Sequence, residues 1–412
     1  MKVLERKYWL PFALITSLFF LWGLANNMTD TLLAAFKRIM AMSDTQTSFI
    51  QLAFYGAYFC VAFPAALFIR KHSFKAGVIL GLGLYALGAM LFLPAAKMAS
   101  YGFYLIAIYV LACGCSVLET TANPYILSMG DPRTATRRLN VAQAFNPLGS
   151  ITGILLSQTF ILGDISLYSV SGTYFGLGCV LLAILFVMLC VKMPEGGDYN
   201  SNVSHGSWHG SMRRLLANRK YSFGVIAQFF YVGAQIGVWS FTIRIVMNEL
   251  GVLEKPAATV YLISIIAFCV SRFVYTWLMK YFKPSRLLVF GSVTAFACTL
   301  IVVFSAGTGW FMVSGLILIS LFMSLMFPTI YGIALGDVEK ESCGGHAGDS
   351  KIGASGLIMA ILGGAVLTPL QGAVSDSFGI NQSYLVPAFC FAVVLAYAIF
   401  VERIESTKEE LR

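Results

Sequence analysis

Charge is what this sequence has least of. Only 11% of its 412 residues are Asp, Glu, Lys or Arg, against about 25% in a soluble domain. Histidine occurs four times, and His72, His205, His209 and His346 all fall between apolar runs, so proton chemistry inside those runs has to use carboxylates. There is no G-x-x-x-x-G-K-[ST] loop for a nucleotide and no H-E-x-x-H zinc helix. Cys113-Gly114-Cys115 is too closely spaced for an ordinary zinc pair and sits in an apolar run. The nine cysteines are odd in number, and all but Cys343 lie in or at the ends of apolar runs, which argues against a secreted disulfide framework. The first apolar run outlasts a signal-peptide core and carries no small-residue cleavage site, so it is expected to stay as a span. An ATP-driven pump and a membrane enzyme therefore have little support; no enzyme activity, metal site or cofactor is expected.

What the chain does have is apolar length. Hydrophobic residues make up 58% of it and the mean hydropathy is +0.78. Apolar runs fall at roughly 9–36, 48–69, 76–96, 101–127, 139–162, 171–191, 221–247, 257–279, 287–306, 309–335, 352–375 and 383–401, each near the roughly 20 residues a spanning helix needs. Backbone groups in lipid must be satisfied within the segment, and these runs are too long and too uniform for barrel strands, so an all-α membrane protein of twelve transmembrane helices is expected.

The net charge of +9 could hint at nucleic acid, but its placement explains it. Of the 28 basic residues, 22 fall at the termini and in alternate connections, such as Arg70, Lys71 and Lys75 or Lys280, Lys283 and Arg286; four lie opposite and two, Arg244 and Arg272, within runs. By the positive-inside rule both termini are cytoplasmic, in the inner membrane of a bacterium, and no nucleic-acid partner is expected. The longest polar connection divides the spans six and six. The expected organisation is therefore a bundle at 1–192, a cytoplasmic linker at 193–220 and a bundle at 221–412. A shift of 210 positions lays Phe19-Phe20-x-x-Gly23 on Phe229-Phe230-x-x-Gly233 and Arg70 on Lys280, as duplicated halves would.

An ionisable group inside a span costs about 2.5–3.5 kcal/mol on insertion scales and needs a reason. Among the acidic residues, Asp30 and Glu119 lie well inside apolar segments. Asn26, Asn27 and Asp30 share one helical face. Glu119 lies one turn from Asn123, and Pro124 frees a carbonyl near Thr120. A carboxylate with amides and free carbonyls at membrane depth suits a wet cavity wall and proton coupling, although an interhelical hydrogen-bond cluster or a structural kink would use the same residues. Na⁺ could occupy the same oxygens. In the fifth run Asn140, Gln143, Asn146 and Ser150 fall on one helical face, and amides that donate and accept together suit a hydroxylated ligand. In the seventh, Gln228, Tyr231, Gln235 and Trp239 repeat at three, four and four, so rings can contact the C–H face of a sugar while amides take its hydroxyls; packing or an interfacial belt is the plainer reading of the aromatics. Arg244 and Arg272 suit pairing with carboxylates or span-end carbonyls, or snorkelling to an interface. The basic turns 70–75 and 280–286 suit a charge-paired gate as well as a topology signal.

Four motifs in order, Phe19-Phe20-Leu21-Trp22 with Ala25-Asn26-Asn27-x-x-Asp30, Leu118-Glu119-Thr120-x-Ala122-Asn123-Pro124, Asn140-x-Ala142-Gln143-x-Phe145-Asn146 and Ala227-Gln228-Phe229-x-Tyr231-Val232-Gly233-Ala234-Gln235, resemble the fucose–proton symporter family of the major facilitator superfamily. The resemblance implies the major facilitator fold, with two six-helix bundles, and import of a monosaccharide, L-fucose first, by proton symport with alternating access. It implies Asp30 and Glu119 as coupling carboxylates and Asn27, Gln143 and Asn146 as sugar-binding amides. The sugar, the proton and the lipid bilayer are the expected partners, and a monomer the expected state. Thr29, Pro147 and Phe327 depart from the fucose pattern, where Asn, Ser and Tyr are expected, and open glucose, galactose, mannose or N-acetylglucosamine as substrates. A proton-coupled drug exporter is the alternative of another class.

Overall fold

The computed structural model describes residues 8–39, 44–156, 166–193, 208–342 and 349–410. Among these the regular structure is entirely helical. The α-helices are α1 (Trp9–Ile39), α2 (Asp44–Lys71), α3 (Phe74–Met98), α4 (Tyr101–Ser128), α5 (Ala135–Gln143), α6 (Asn146–Leu156), α7 (Leu167–Cys190), α8 (Trp208–Ala217), α9 (Arg219–Leu250), α10 (Glu254–Leu278), α11 (Pro284–Phe304), α12 (Trp310–Met323), α13 (Met326–Ser342), α14 (Asp349–Met359), α15 (Gly363–Phe378), α16 (Ile380–Ser383) and α17 (Leu385–Glu410). Among the described residues, ten stretches are long and apolar enough to cross a membrane. The remaining two expected spans fall on α1 and on α5 with α6.

Three expected continuous spans are interrupted. The fifth breaks at Ala144 and Phe145, the tenth at Ser324 and Leu325, and the eleventh passes through a 3-10 turn at Ala360–Leu362. The first two breaks have a common cause. Pro147 and Pro328 lack the N–H that a continuous helix would donate four residues back, and their rings crowd the same carbonyls, those of Gln143 and Ser324. The face expected to run unbroken from Asn140 to Ser150 is therefore split between α5 and α6, a correction to the reading of the fifth run as one helix.

The chain forms two compact units. One comprises Met1–Ala135, Leu148–Arg213 and Val338–Met359. In it α3 packs on α4 and α7, and α2 and α14 both pack on α4. The Phe19-Phe20-Leu21-Trp22 run fixes α1: Trp22 donates through Nε1 to the Tyr58 hydroxyl at 2.9 Å, and the Tyr85 hydroxyl donates to the Leu21 carbonyl at 3.0 Å. The second unit comprises Thr136–Pro147, Arg214–Asp337 and Ala360–Arg412. There α9 packs on α15 and α17, α10 on α12, and α11 on α12 and α17.

The internal repeat has a structural counterpart in each unit. A methyl group at Gly149 in α6 would overlap the Phe20 carbonyl of α1, and one at Gly363 in α15 would overlap the Phe229 carbonyl of α9. The turn between α2 and α3 is tied to the end of α7 by Lys75, whose Nζ donates to the carbonyls of Leu189 and Val191 at 2.9 and 2.8 Å. The matching turn between α10 and α11 is tied to α17 by side chains instead: Ser285 bonds Glu402 and Glu405, and Arg286 pairs with Glu402 at 2.9 Å. Helix α7 ends at Cys190 and leaves carbonyls unspent. Helix α17 runs on to Glu410 and uses the equivalent carbonyls itself, so only side chains can make the tie.

Candidate substrate and coupling site

In the first unit, Glu119 sits in α4, half-buried, with Oε2 enclosed and without a hydrogen-bond partner. Tyr58 and Cys115 lie within electrostatic reach of it. An ionised carboxylate accepts at both oxygens, so an enclosed oxygen with no donor is an acceptor left over. Asn123, fully buried, donates through Nδ2 to the Glu119 carbonyl at 3.1 Å, and Asn27 donates to the Gly23 carbonyl at 3.1 Å. Both amides lean back one turn along their own helices. Thr120, whose carbonyl Pro124 deprives of its helical donor, also buries an unpartnered Oγ1. Asn26 and Asp30 fall on α1, but their side chains lie outside the described residues.

In the second unit, Gln143 ends α5 and is buried; Asn146 opens α6 and is half-buried. Asn140 donates through Nδ2 to the Thr136 carbonyl at 2.9 Å and to the Thr329 hydroxyl at 3.4 Å. On α9 the four expected residues divide. Tyr231 donates its hydroxyl proton to the Met323 carbonyl at 3.1 Å, and Trp239 donates through Nε1 to the Ser320 hydroxyl at 3.3 Å. Those two bonds hold α9 to α12, which gives the aromatics the packing role that sequence reasoning weighed against ligand contact. Gln228 is fully buried, and neither its Oε1 nor its Nε2 has a partner. Gln235 is half-buried.

Sequence reasoning gave Arg272 carboxylates, span-end carbonyls or an interface as partners, and missed that this second cluster converges on it. Arg272 in α10 is buried, and its guanidinium donates through Nε to the Ser324 carbonyl at 2.7 Å and through Nη1 to the Gln143 carbonyl at 3.1 Å. It stands 4.6 Å from the centre of the Phe268 ring, against which Trp239 packs edge-on at 5.0 Å. Tyr231 lies within its electrostatic reach. Its described partners are carbonyls and a ring, with no carboxylate among them. Arg244, by contrast, is exposed and lies 5.4 Å over Phe241, as a snorkelling side chain would. Gln371 on α15 was also missed; it is buried with its Oε1 over Gly237 and its Nε2 unpartnered. A lone amide in the apolar run 352–375 was the only signal for it.

Comparison with known proteins identifies the family of the chain. Residues 15–348 match the Major Facilitator Superfamily. The chain is 42% identical to an L-fucose-proton symporter of Haemophilus influenzae, over 96% of this chain and 97% of the relative. It is 36% identical to the L-fucose-proton symporter of Escherichia coli over 96% and 94%, and 32% identical to a glucose/galactose transporter of Brucella abortus over 96% and 95%. The crystal structure of the fucose transporter FucP in the outward conformation superposes with a TM-score of 0.86 at 36% identity, covering 96% of this chain and 99% of that one. The chain is thus a multi-pass membrane protein that belongs to the fucose–proton symporter family of the major facilitator superfamily.

Proposed function

We propose that this protein imports L-fucose by proton symport across the inner membrane of a bacterium, with both termini cytoplasmic and with 1–192 and 221–412 as the two bundles that alternate access around the connection 193–220. The observation that carries the coupling is the enclosed, partnerless Oε2 of Glu119. An acceptor with no protein donor is one a proton can complete, and a neutral carboxyl is the form that sits most easily among apolar helices. Asp30 is the second coupling carboxylate in this reading. The fully buried and unspent amide of Gln228 supports a ligand rich in hydroxyls, which would satisfy both of its atoms at once. Asn27 and Asn123 in the first unit and Gln143 and Asn146 in the second are the further sugar-binding amides of this reading. H⁺ is the coupling ion, and no organic cofactor takes part.

One proton moving down 100 mV supplies about 2.3 kcal/mol, which holds a neutral sugar at roughly a fiftyfold gradient. Coupling then requires that the loaded and the empty carrier reorient while the protonated, sugar-free form does not. Labelled L-fucose uptake into sealed vesicles tests the reading: uptake should alkalinise the outside medium and collapse with a protonophore. Uptake that follows a sodium gradient and ignores the protonophore would overturn it.

A glucose or galactose importer is the second reading. Phe327 favours it, since this ring lies beside Tyr231 and Tyr331 at 6.4 Å from each and presents no hydroxyl where a fucose carrier is expected to. Competition by glucose or galactose stronger than by L-fucose would establish it.

A further inference from the structure

Helix α5 ends at Gln143 and α12 ends at Met323, each because a proline follows at the position that would have closed the next hydrogen bond. Two carbonyls, those of Gln143 and Ser324, are thereby deprived of helical donors. The C-termini of interrupted helices carry the negative ends of the peptide dipoles, and a buried carbonyl without a donor has to find one elsewhere. Both find the same one. The two bonds come from different nitrogens of the Arg272 fork, and the Phe268 ring covers the guanidinium face. A buried cation with no described carboxylate partner is thus neutralised by two helix ends and a π face.

We infer that Arg272 is a positioning residue for transport: it fixes the broken ends of the fifth and tenth spans and so sets where the Gln143 and Asn146 amides stand. The inference rests on the sugar-binding reading of those amides. Three further contacts seat α5 and the break that follows it in the same unit. Thr136 lies against Gly332, Asn140 bonds Thr329, and Phe145 meets Phe273 edge-on at 6.1 Å. Arg272 supplies the only one of these contacts that reaches the broken end itself through a charge. A lysine can reach one carbonyl but not two divergent ones, because its ammonium is a point charge and not a planar fork.

The test compares full-length Arg272→Lys and Arg272→Met with the unmodified chain. Amide hydrogen exchange over 136–147 and 320–331 in the purified protein should quicken by about fivefold or more in Arg272→Met and less in Arg272→Lys, with the α3 segment 74–98 unchanged. In vesicles the KM for L-fucose should rise about tenfold while the maximal rate changes less than about threefold, again with Lys intermediate. A residue that merely supports folding would lower the amount of active carrier and the maximal rate without moving KM. Should Arg272→Met fail to fold, Arg272→Lys carries both measurements. Wild-type exchange at both segments in the folded variants overturns the positioning role, and so does an unchanged KM. Faster exchange in a protein that binds no monosaccharide leaves the clamp standing and removes the sugar reading.

Discussion

Glu119 and Arg272 are ionisable side chains in the bodies of apolar helices, one in each unit, and the fold treats them in opposite ways. The guanidinium is held on three sides, by two carbonyls and a ring. The carboxyl keeps an enclosed oxygen with nothing donating to it. A guanidinium stays a charge because of its intrinsic basicity, and acceptors fixed on its N–H groups favour that form. An oxygen without a donor is what a transported proton can visit and leave. On the proposed coupling and positioning roles, the contrast teaches how a duplicated architecture divides its work: one unit holds a group able to change state, the other a group that holds the backbone still.

Glu119→Gln has the largest expected effect. It fixes the neutral form, so net accumulation of sugar should fall from tens of fold to near unity while exchange of internal for external sugar persists, since the driving force of about 2.3 kcal/mol per proton is no longer coupled. Accumulation at the wild-type level would remove Glu119 from the coupling role. Gln228→Leu comes next. It should weaken sugar affinity by about 1–3 kcal/mol, the cost of leaving ligand hydroxyls unpaired, and leave thermal stability unchanged, because no protein hydrogen bond is lost. A lower melting temperature with unchanged affinity would make Gln228 a packing residue.

The matched glycines extend the contrast to packing. Gly149→Ala and Gly363→Ala each force a methyl onto a backbone carbonyl and should each destabilise the folded protein by about 1–3 kcal/mol, read as a lowered melting temperature in detergent. Equal losses would mark the two crossings as equivalent. The smallest effect is expected at the turns. Arg286→Ala removes an ion pair whose cation is largely exposed, so the change should stay within about 1 kcal/mol and shrink with added salt. A large, salt-independent loss would show that the tie to α17 holds more than this one ion pair.

Much of this was legible in the sequence, for a definite reason. Apolar length is additive along the chain, so the spans could be counted without knowing what each one touches. Glu119 announced itself because a carboxylate in an apolar run is costly wherever the run goes. Span-end carbonyls were among the partners the sequence allowed Arg272, but which carbonyls was not legible. Its acceptors are main-chain carbonyls, which carry no residue signature, and they lie 129 and 52 positions away in sequence. The signal was present in indirect form: Pro147 and Pro328 each mark a carbonyl four residues back that has lost its donor. The same rule was applied at Pro124 and not at the other two. The continuous face expected over 140–150 failed for that reason also. Tyr231 and Trp239 show a different limit, since spacing places them on a face but does not say that a neighbouring helix has taken their donors. The side chains of Asp30 and Asn26, on which the first motif depends, lie outside the described residues.

The glycine crossings carry one more consequence. Where Gly149 meets Phe20 and Gly363 meets Phe229, main chain lies against main chain with no side chain between. Such a joint cannot be loosened by choosing another rotamer. Helix α6 is welded to α1, and α15 to α9, so the two helices of each pair move as one piece.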